Sequence, residues 1–237
     1  MIIYGRNPVR EALRGPRTVR RIWATKNTLR EPWLAEPGGR GPAPVPAPAV
    51  VSAEEVQEIC GSPDHQGVCA EVSSFRYADA DALLGGGGGP LVALDQIQDP
   101  QNLGAICRSA ECAGAAGVVL PERRAAEVTP AVCKASAGAV EHLPVARVRN
   151  LADFLAQAKS AGRWCYGAQA DAKRSYQAVD YTGPLVLVLG SEGRGLRPRV
   201  AAACDELVSI PLRGRIESLS VSAAAAVLLY AATAARG

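Results

Sequence analysis

From residue 91 onward, short runs of uninterrupted apolar residues alternate with stretches of helical length that carry polar residues on one side. LVALD, GVVLP, PVARV, WCYGA, LVLVLG and ELVSIPL read as strands. NLGAICRSAECAG, TPAVCKASAGA, LADFLAQAKSAG behind a capping Asn150, and LRPRVAAAC read as the helices between them, and 221–235 as a closing apolar helix. Strands alternating with helices in this way belong to a parallel sheet covered on both faces. The fold class is therefore α/β, with ligand sites expected in loops at the carboxyl ends of strands. Three such loops stand out: 96–103, 190–195 and 213–219.

The front of the chain has a different grain. Asn7 and Pro8 start a helix over PVREALR, VRRIWA and PAVV read as strands, Ser52 caps AEEVQEIC, and GVCAEV closes a small α/β unit. EPGGRGPAPVPAP (36–48) reads as an extended segment, and five glycines at 85–89 followed by Pro90 read as a flexible linker. The expected division is thus 1–84, a linker at 85–90, and 91–237.

The chain has 237 residues, 48% of them hydrophobic, and a net charge of +3, which excludes a disordered or collagenous protein. The charge is uneven: residues 1–40 hold nine basic side chains against three acidic ones. Arginine far outnumbers lysine, and its planar fork suits phosphate, so an anionic partner such as nucleic acid is favoured. Arg6 and Arg10 interrupt the apolar start that a signal peptide needs, and 221–235 is shorter than the roughly 20 residues of a bilayer span, so a cytoplasmic protein without a membrane partner is expected. Seven cysteines form no CxxC pair, and only His65 and His142 could join them, so neither a disulfide framework nor a metal site is expected.

Each loop taken alone has an ordinary reading. In DQIQDPQNLG, Asn102 sits where a helix N-cap belongs, with Arg108 and Glu111 spaced for a surface pair. LGSEGRGL places Glu192 and Arg194 among three glycines and is equally a tight turn. Its spacing is neither the dinucleotide GxGxxG nor a phosphate loop, and both histidines precede Ser191, against the order of an α/β-hydrolase. The serines at 218, 220 and 222 are equally helix caps.

Taken together, LDQIQDPQNLGAICRSAECAG, LVLVLGSEGRGL and SIPL with ESLSVSAAAAVLL resemble, in order and spacing, the three motifs of the SpoU family of RNA ribose 2'-O-methyltransferases. The resemblance covers about 91–235, while YGRNPVREAL and HQGVCAEV are similar to the front of one branch, the bacterial large-subunit ribosomal RNA guanosine 2'-O-methyltransferases. It implies a trefoil-knotted SPOUT methyltransferase domain that binds S-adenosyl-L-methionine in the knot and forms a homodimer. A smaller, ribosomal-protein-like N-terminal domain would capture RNA. The implied substrate is a guanosine of large-subunit (23S) ribosomal RNA, the alternatives being transfer RNA or a non-catalytic ribosome-assembly role.

By the same resemblance, Asn102, Arg108, Glu192, Ser218 and Ser220 match the reaction centre. Leu189, Gly190, Glu192, Gly193, Ile210, Leu212, Ser218 and Leu219 match the cofactor pocket, and Arg6, Asn7, Arg10, His65, Gln66 and Arg108 the RNA contacts. An arginine is a poor base because its pKa exceeds about 12, so Arg108 is expected to donate to phosphate and to the developing alkoxide, with Glu192 positioning it. Ser220 stands where the family usually has Asn, and Glu217 where relatives often have a small polar residue.

Overall fold

The chain runs through β1 (Ile2–Tyr4), α1 (Arg6–Arg14), β2 (Val19–Ala24), α2 (Pro32–Ala35), β3 (Ala49–Val50), α3 (Ala53–Cys60), β4 (Val68–Val72) and α4 (Ala80–Gly85). It continues through β5 (Leu91–Asp95), α5 (Pro100–Cys112), β6 (Gly117–Pro121), α6 (Pro130–Ala135), β7 (Val145–Val148), α7 (Leu151–Ser160), β8 (Trp164–Ala168) and β9 (Arg174–Ser175). The last elements are β10 (Leu185–Gly190), α8 (Pro198–Ala203), β11 (Glu206–Ser209) and α9 (Val221–Ala234). This computed structural model describes residues 1–35, 44–86, 88–216 and 218–234. Most of the Pro-rich stretch, the middle of the glycine run and Glu217 lie outside the described residues.

Two compact units result: residues 1–76 with 127–142, and residues 77–126 with 143–237. The division falls at 76/77, ahead of the glycine run, because 77–86 pairs and packs within the second unit. Ala78 bridges to Ala146 of β7, and Arg163 holds the end of α4 by donating to the carbonyls of Leu83 (3.2 Å), Leu84 (3.3 Å) and Gly86 (2.7 Å). The segment 127–142, which the pattern reads as one more covering helix of the long sheet, belongs to the first unit.

The first unit holds a four-stranded sheet in the order β1-β4-β2-β3, antiparallel except for β2 with β3. Ile3, Val9, Leu13, Ile22, Val56, Val68 and Val72 fill its core. Ser52 caps α3 through a reciprocal pair: its hydroxyl accepts from Glu55 N–H at 3.2 Å, and the Glu55 carboxylate accepts from Ser52 N–H at 2.7 Å. The helix expected over TPAVCKASAGA stops at Ala135, since Ala137 (φ 53°) and Gly138 (φ 88°) turn left-handed. Behind that turn, Glu141 forms an ion pair with Arg17 at 2.8 Å, both side chains almost fully buried.

The second unit is a seven-stranded sheet, parallel throughout, in the order β7-β6-β5-β10-β8-β11-β9. Its α/β class is the one the apolar strands predict, with Leu91, Ala93, Val119, Val186 and Val188 wholly buried. From β5 the sheet grows one way through β6 and β7 and the other way through β10 and β8. The crevice outside the carboxyl ends of β5 and β10 is therefore the topological switch point, where ligands bind in open parallel sheets. One boundary differs from expectation at this crevice: α5 is capped by Asp99, not Asn102. Asp99 accepts from the N–H groups of Gln101 (3.0 Å) and Asn102 (3.3 Å), and Pro100, with its fixed φ, takes the first helical position. Asn102 is thereby left inside the first turn with its side chain free for other work.

Candidate active site

The loop after β10 folds back on itself so closely that only glycine fits. A Cβ on Gly190 would lie 2.1 Å from the backbone carbon of Gly195, and Gly193 (φ 77°) and Gly195 (φ 64°) adopt the left-handed backbone. The turn is closed by Gly195 N–H donating to the Ser191 carbonyl at 2.9 Å. It is anchored from below by Asp95, the last residue of β5 and fully buried in its side chain. That carboxylate accepts from Arg197 N–H (2.8 Å), Nε (2.8 Å) and Nη2 (2.7 Å).

The turn aims Glu192 at two helix starts. Glu192 Oε1 accepts from Asn102 Nδ2 and from Val221 N–H, each at 3.2 Å, tying the first turn of α5 to the first residue of α9. A carboxylate can only accept, so the Asn102 amide must face it through nitrogen, leaving its carbonyl oxygen for another donor. Ser220 Oγ accepts from Ala223 N–H at 3.2 Å and lies 3.2 Å from Ser222 Oγ, so it caps α9 beside Glu192.

Glu192 lies at the shared edge of two clefts. One is mainly apolar, walled by Leu189, Val208, Ile210, Leu212 and Leu219, with Gly190, Gln169 and Ser218. The other is polar, lined by Gln96, Gln98, Asp99, Asn102, Ser191, Glu192 and Arg194. Burial pushes the thiols of Cys165 and Cys204, with Asp205 nearby, up to about 12, so neither supplies a thiolate at neutral pH. No group of three or more His, Cys, Asp or Glu side chains among the described residues is arranged to hold a metal ion, and no described helix is long and apolar enough to cross a membrane.

Of the residues singled out in the sequence, Leu189, Gly190, Glu192, Ile210, Leu212, Ser218 and Leu219 line the apolar cleft, and Asn102 joins Glu192 in the polar one. Gly193 lines neither and serves the turn. Arg108 is exposed on α5, lines neither cleft, and does not make the contact with Glu192 that the sequence suggested. Six residues along a helix carry it about 120° around the axis from Asn102. Asp95, Arg197 and Gln96 were missed; the one available signal was an aspartate ending an otherwise apolar strand.

In the first unit, Arg6, His65 and Gln66 line one cleft together with Lys26, Asn27 and Thr28. Arg6 N–H donates to Gln66 Oε1 (3.0 Å), its guanidinium pairs with Glu31 (2.7 Å), and His65 Nδ1 accepts from Gly67 N–H (2.9 Å). Asn7 and Arg10 do not line it; Arg10 pairs with Glu11 at 2.8 Å.

Residues 89–230 match the SpoU rRNA methylase family. A relative from Bacillus subtilis, described as a putative TrmH family tRNA/rRNA methyltransferase, is 38% identical over 238 residues, covering 96% of this chain and 93% of its own. A relative of the same description from Staphylococcus haemolyticus is 35% identical, covering 97% and 94%. Among solved structures, the SpoU methyltransferase AviRb from Streptomyces viridochromogenes in complex with AdoMet superposes with a TM-score of 0.80 at 25% identity, covering 99% of this chain and 89% of that one. The AdoMet-bound rRNA methyltransferase from Sinorhizobium meliloti superposes at 0.78 with 26% identity, covering 98% and 85%.

Proposed function

The chain belongs to the SpoU rRNA methylase family, and from that membership we propose that it transfers a methyl group from S-adenosyl-L-methionine to a ribose 2'-hydroxyl of RNA, in large-subunit ribosomal RNA at a guanosine. The observation that carries this reading is the position of Glu192, on the edge shared by an apolar cleft and a polar one, with Asn102 fixed beside it. A two-substrate transfer needs two adjoining sites of different character. The apolar walls at Leu189, Ile210, Leu212 and Leu219, and the close backbone approach at Gly190, fit an adenosine held by apolar surface and main-chain groups. When bound, the cofactor supplies an electrophilic methyl on a positively charged sulfur.

The residues of the chain do the rest. Glu192 places a carboxylate where positive charge would sit and holds the Asn102 amide. The Asn102 carbonyl oxygen then accepts from the substrate hydroxyl and orients it, and orientation supplies much of the rate of such a displacement. Arg108, turned away from its own Asn102, reaches an RNA phosphate and the developing alkoxide at the site of a second copy. The chain therefore works as a homodimer through the second unit, and the trefoil threading belongs to that unit. The dimer reading is supported by α9, which carries no charged residue and exposes Tyr230. The cleft of Arg6, Lys26, His65 and Gln66, to which the basic stretch 1–40 contributes Arg6 and Lys26, serves RNA capture by phosphate neutralisation.

The test is transfer of labelled methyl from S-adenosyl-L-methionine to protein-free large-subunit ribosomal RNA, with the product mapped. A single 2'-O-methylated guanosine is expected. Transfer to transfer RNA alone would reassign the substrate, and failure to bind the cofactor would overturn the reaction.

A further inference from the structure

Beyond the two clefts at Glu192, the carboxyl ends of β5, β6 and β7 open onto a third. Five arginines line it, Arg123, Arg124, Arg149, Arg197 and Arg199, and none of its lining residues is acidic. Two of the five are engaged: Arg197 with the buried Asp95, and Arg199 with Asp153 at 2.8 Å on the surface. No carboxylate pairs with Arg123, Arg124 or Arg149 among the described residues. Three unpaired guanidinium groups converging on one concavity repel one another, and an anion that bridges them removes that repulsion.

The loop that presents Arg123 and Arg124 is pinned at both ends. Glu122 N–H donates to the Val148 carbonyl (2.9 Å), Arg147 Nη2 donates to the Glu122 carbonyl (2.8 Å), and Ala126 N–H donates to the Ile97 carbonyl (2.8 Å). Arg124 (φ 58°) and Gln96 (φ 62°) are both held in the left-handed region, where non-glycine residues are uncommon, and both line this cleft. Gln96 also lines the polar cleft that contains Asn102 and Glu192, so the arginine cleft and the polar cleft meet at that side chain.

We infer that the arginine cleft holds the phosphodiester backbone of the single-stranded RNA flanking the nucleotide whose ribose enters the polar cleft. The inference rests on the proposed 2'-O-methyl transfer and adds a second RNA-contacting surface, separate from that of the first unit. A ribose in a polynucleotide carries a phosphate on either side, and an arginine fork grips a phosphate through two parallel hydrogen bonds whatever the base. Such a cleft fixes where the target nucleotide sits and contributes nothing to cofactor binding.

The experiment compares the full-length wild-type protein with the triple variants R123Q/R124Q/R149Q and R123K/R124K/R149K. It measures binding to a fluorescein-labelled single-stranded oligouridylate across a salt series, methyl transfer to protein-free large-subunit ribosomal RNA, and affinity for S-adenosyl-L-methionine by calorimetry. For the glutamine set, the slope of log K against log salt becomes shallower by about two, from about 0.7 per phosphate contact on a single strand. KM for the ribosomal RNA rises at least tenfold, cofactor affinity is unchanged, and the lysine set keeps most of the wild-type slope. A glutamine set with wild-type slope and KM overturns the inference while leaving the proposed reaction standing. A lysine set whose salt slope matches that of the glutamine set also overturns it, because that slope counts positive charges at phosphates and lysine keeps the charge. A wild-type protein that binds cofactor but methylates no RNA removes the reading beneath it as well.

Discussion

Glu192 accepts a hydrogen bond from Asn102, ninety residues earlier in the chain, with the same oxygen that accepts from the backbone N–H of Val221. One carboxylate oxygen therefore sets both the Asn102 side chain, to which the proposed reaction gives the substrate hydroxyl, and the start of the helix that closes the apolar cleft. Glu192→Gln retains an acceptor oxygen but removes the charge and adds an amide donor that competes with Asn102. Its single-turnover methyl transfer should fall about 10²-fold, the scale of losing one preorganised electrostatic contact, while the melting temperature stays within a few degrees. Because Glu192 is exposed, water replaces its bonds to the helix. A Glu192→Gln protein with wild-type single-turnover rate would remove Glu192 from the reaction centre.

Gly190→Ala tests the turn itself. The added methyl meets the backbone of Gly195 and the nitrogen of Leu196, 2.4 Å away, and main chain cannot swing aside as a flexible side chain can. The turn must shift, at about 2 kcal/mol of stability by the usual scale of overpacking, and the shift moves Leu189 and Glu192 together. Calorimetric affinity for S-adenosyl-L-methionine should drop more than tenfold. Alanine at Gly183, where nothing lies within 4 Å, should leave that affinity unchanged. Equal affinities for the two variants would show that the close approach at Gly190 does not shape the cofactor cleft.

The parallel sheet was legible in the sequence, and so were two of the loops that line the clefts, because both follow from local pattern. GVVLP and LVLVLG are apolar throughout and LVALD up to its closing Asp95, and the loops behind LVALD and LVLVLG meet at the crevice. The cap of α5 was misplaced by three residues because Asp99 and Asn102 are both good capping residues, and Pro100 decides between them. The Asp95–Arg197 anchor joins residues 102 apart and leaves no periodic trace. For 127–142 the pattern shows a helix but not which sheet it covers, since an apolar face at Val132 and Cys133 suits either. The arginine cleft was hidden for the same reason: Arg123 and Arg149 sit in two separate loops and Arg199 at the start of α8, and only the common direction of the strands brings them together.

In the first unit, the buried Arg17–Glu141 pair makes stability depend on pH in an unusual direction. Burial holds the Glu141 carboxyl above its ordinary value of 4.5, with the Arg17 guanidinium pulling it part of the way back. A carboxyl whose folded pKa is raised binds its proton more tightly in the native state than in the unfolded one. The stability it contributes is present below 4.5 and is lost as pH rises through the raised folded value. Glu141→Gln abolishes that titration. Denaturant unfolding at a series of pH values should show the wild type losing stability relative to Glu141→Gln on going up from 4.5, and a constant difference between them would refute the assignment.

Ser220 is where the motif resemblance leads one to expect Asn, and the structure gives serine a definite task. Its hydroxyl accepts from Ala223 N–H and so satisfies one of the unpaired donors at the start of α9, next to the Val221 N–H that Glu192 satisfies. Asparagine caps helices about as well as serine, whereas alanine forfeits about 1 kcal/mol at such a position. Ser220→Asn should therefore keep the melting temperature of the wild type, and its amide nitrogen adds a donor beside Glu192 and Ser218. Ser220→Ala should melt lower and also lose turnover, because a frayed start of α9 releases the Val221 N–H from Glu192 and with it the Asn102 contact. Thermal unfolding together with single-turnover transfer separates the two roles. If Ser220→Ala lowers the melting temperature but transfers methyl at the wild-type rate, the hydroxyl serves only the helix. If Ser220→Asn raises the rate at unchanged stability, the serine is a weaker version of a polar contact made by the longer side chain.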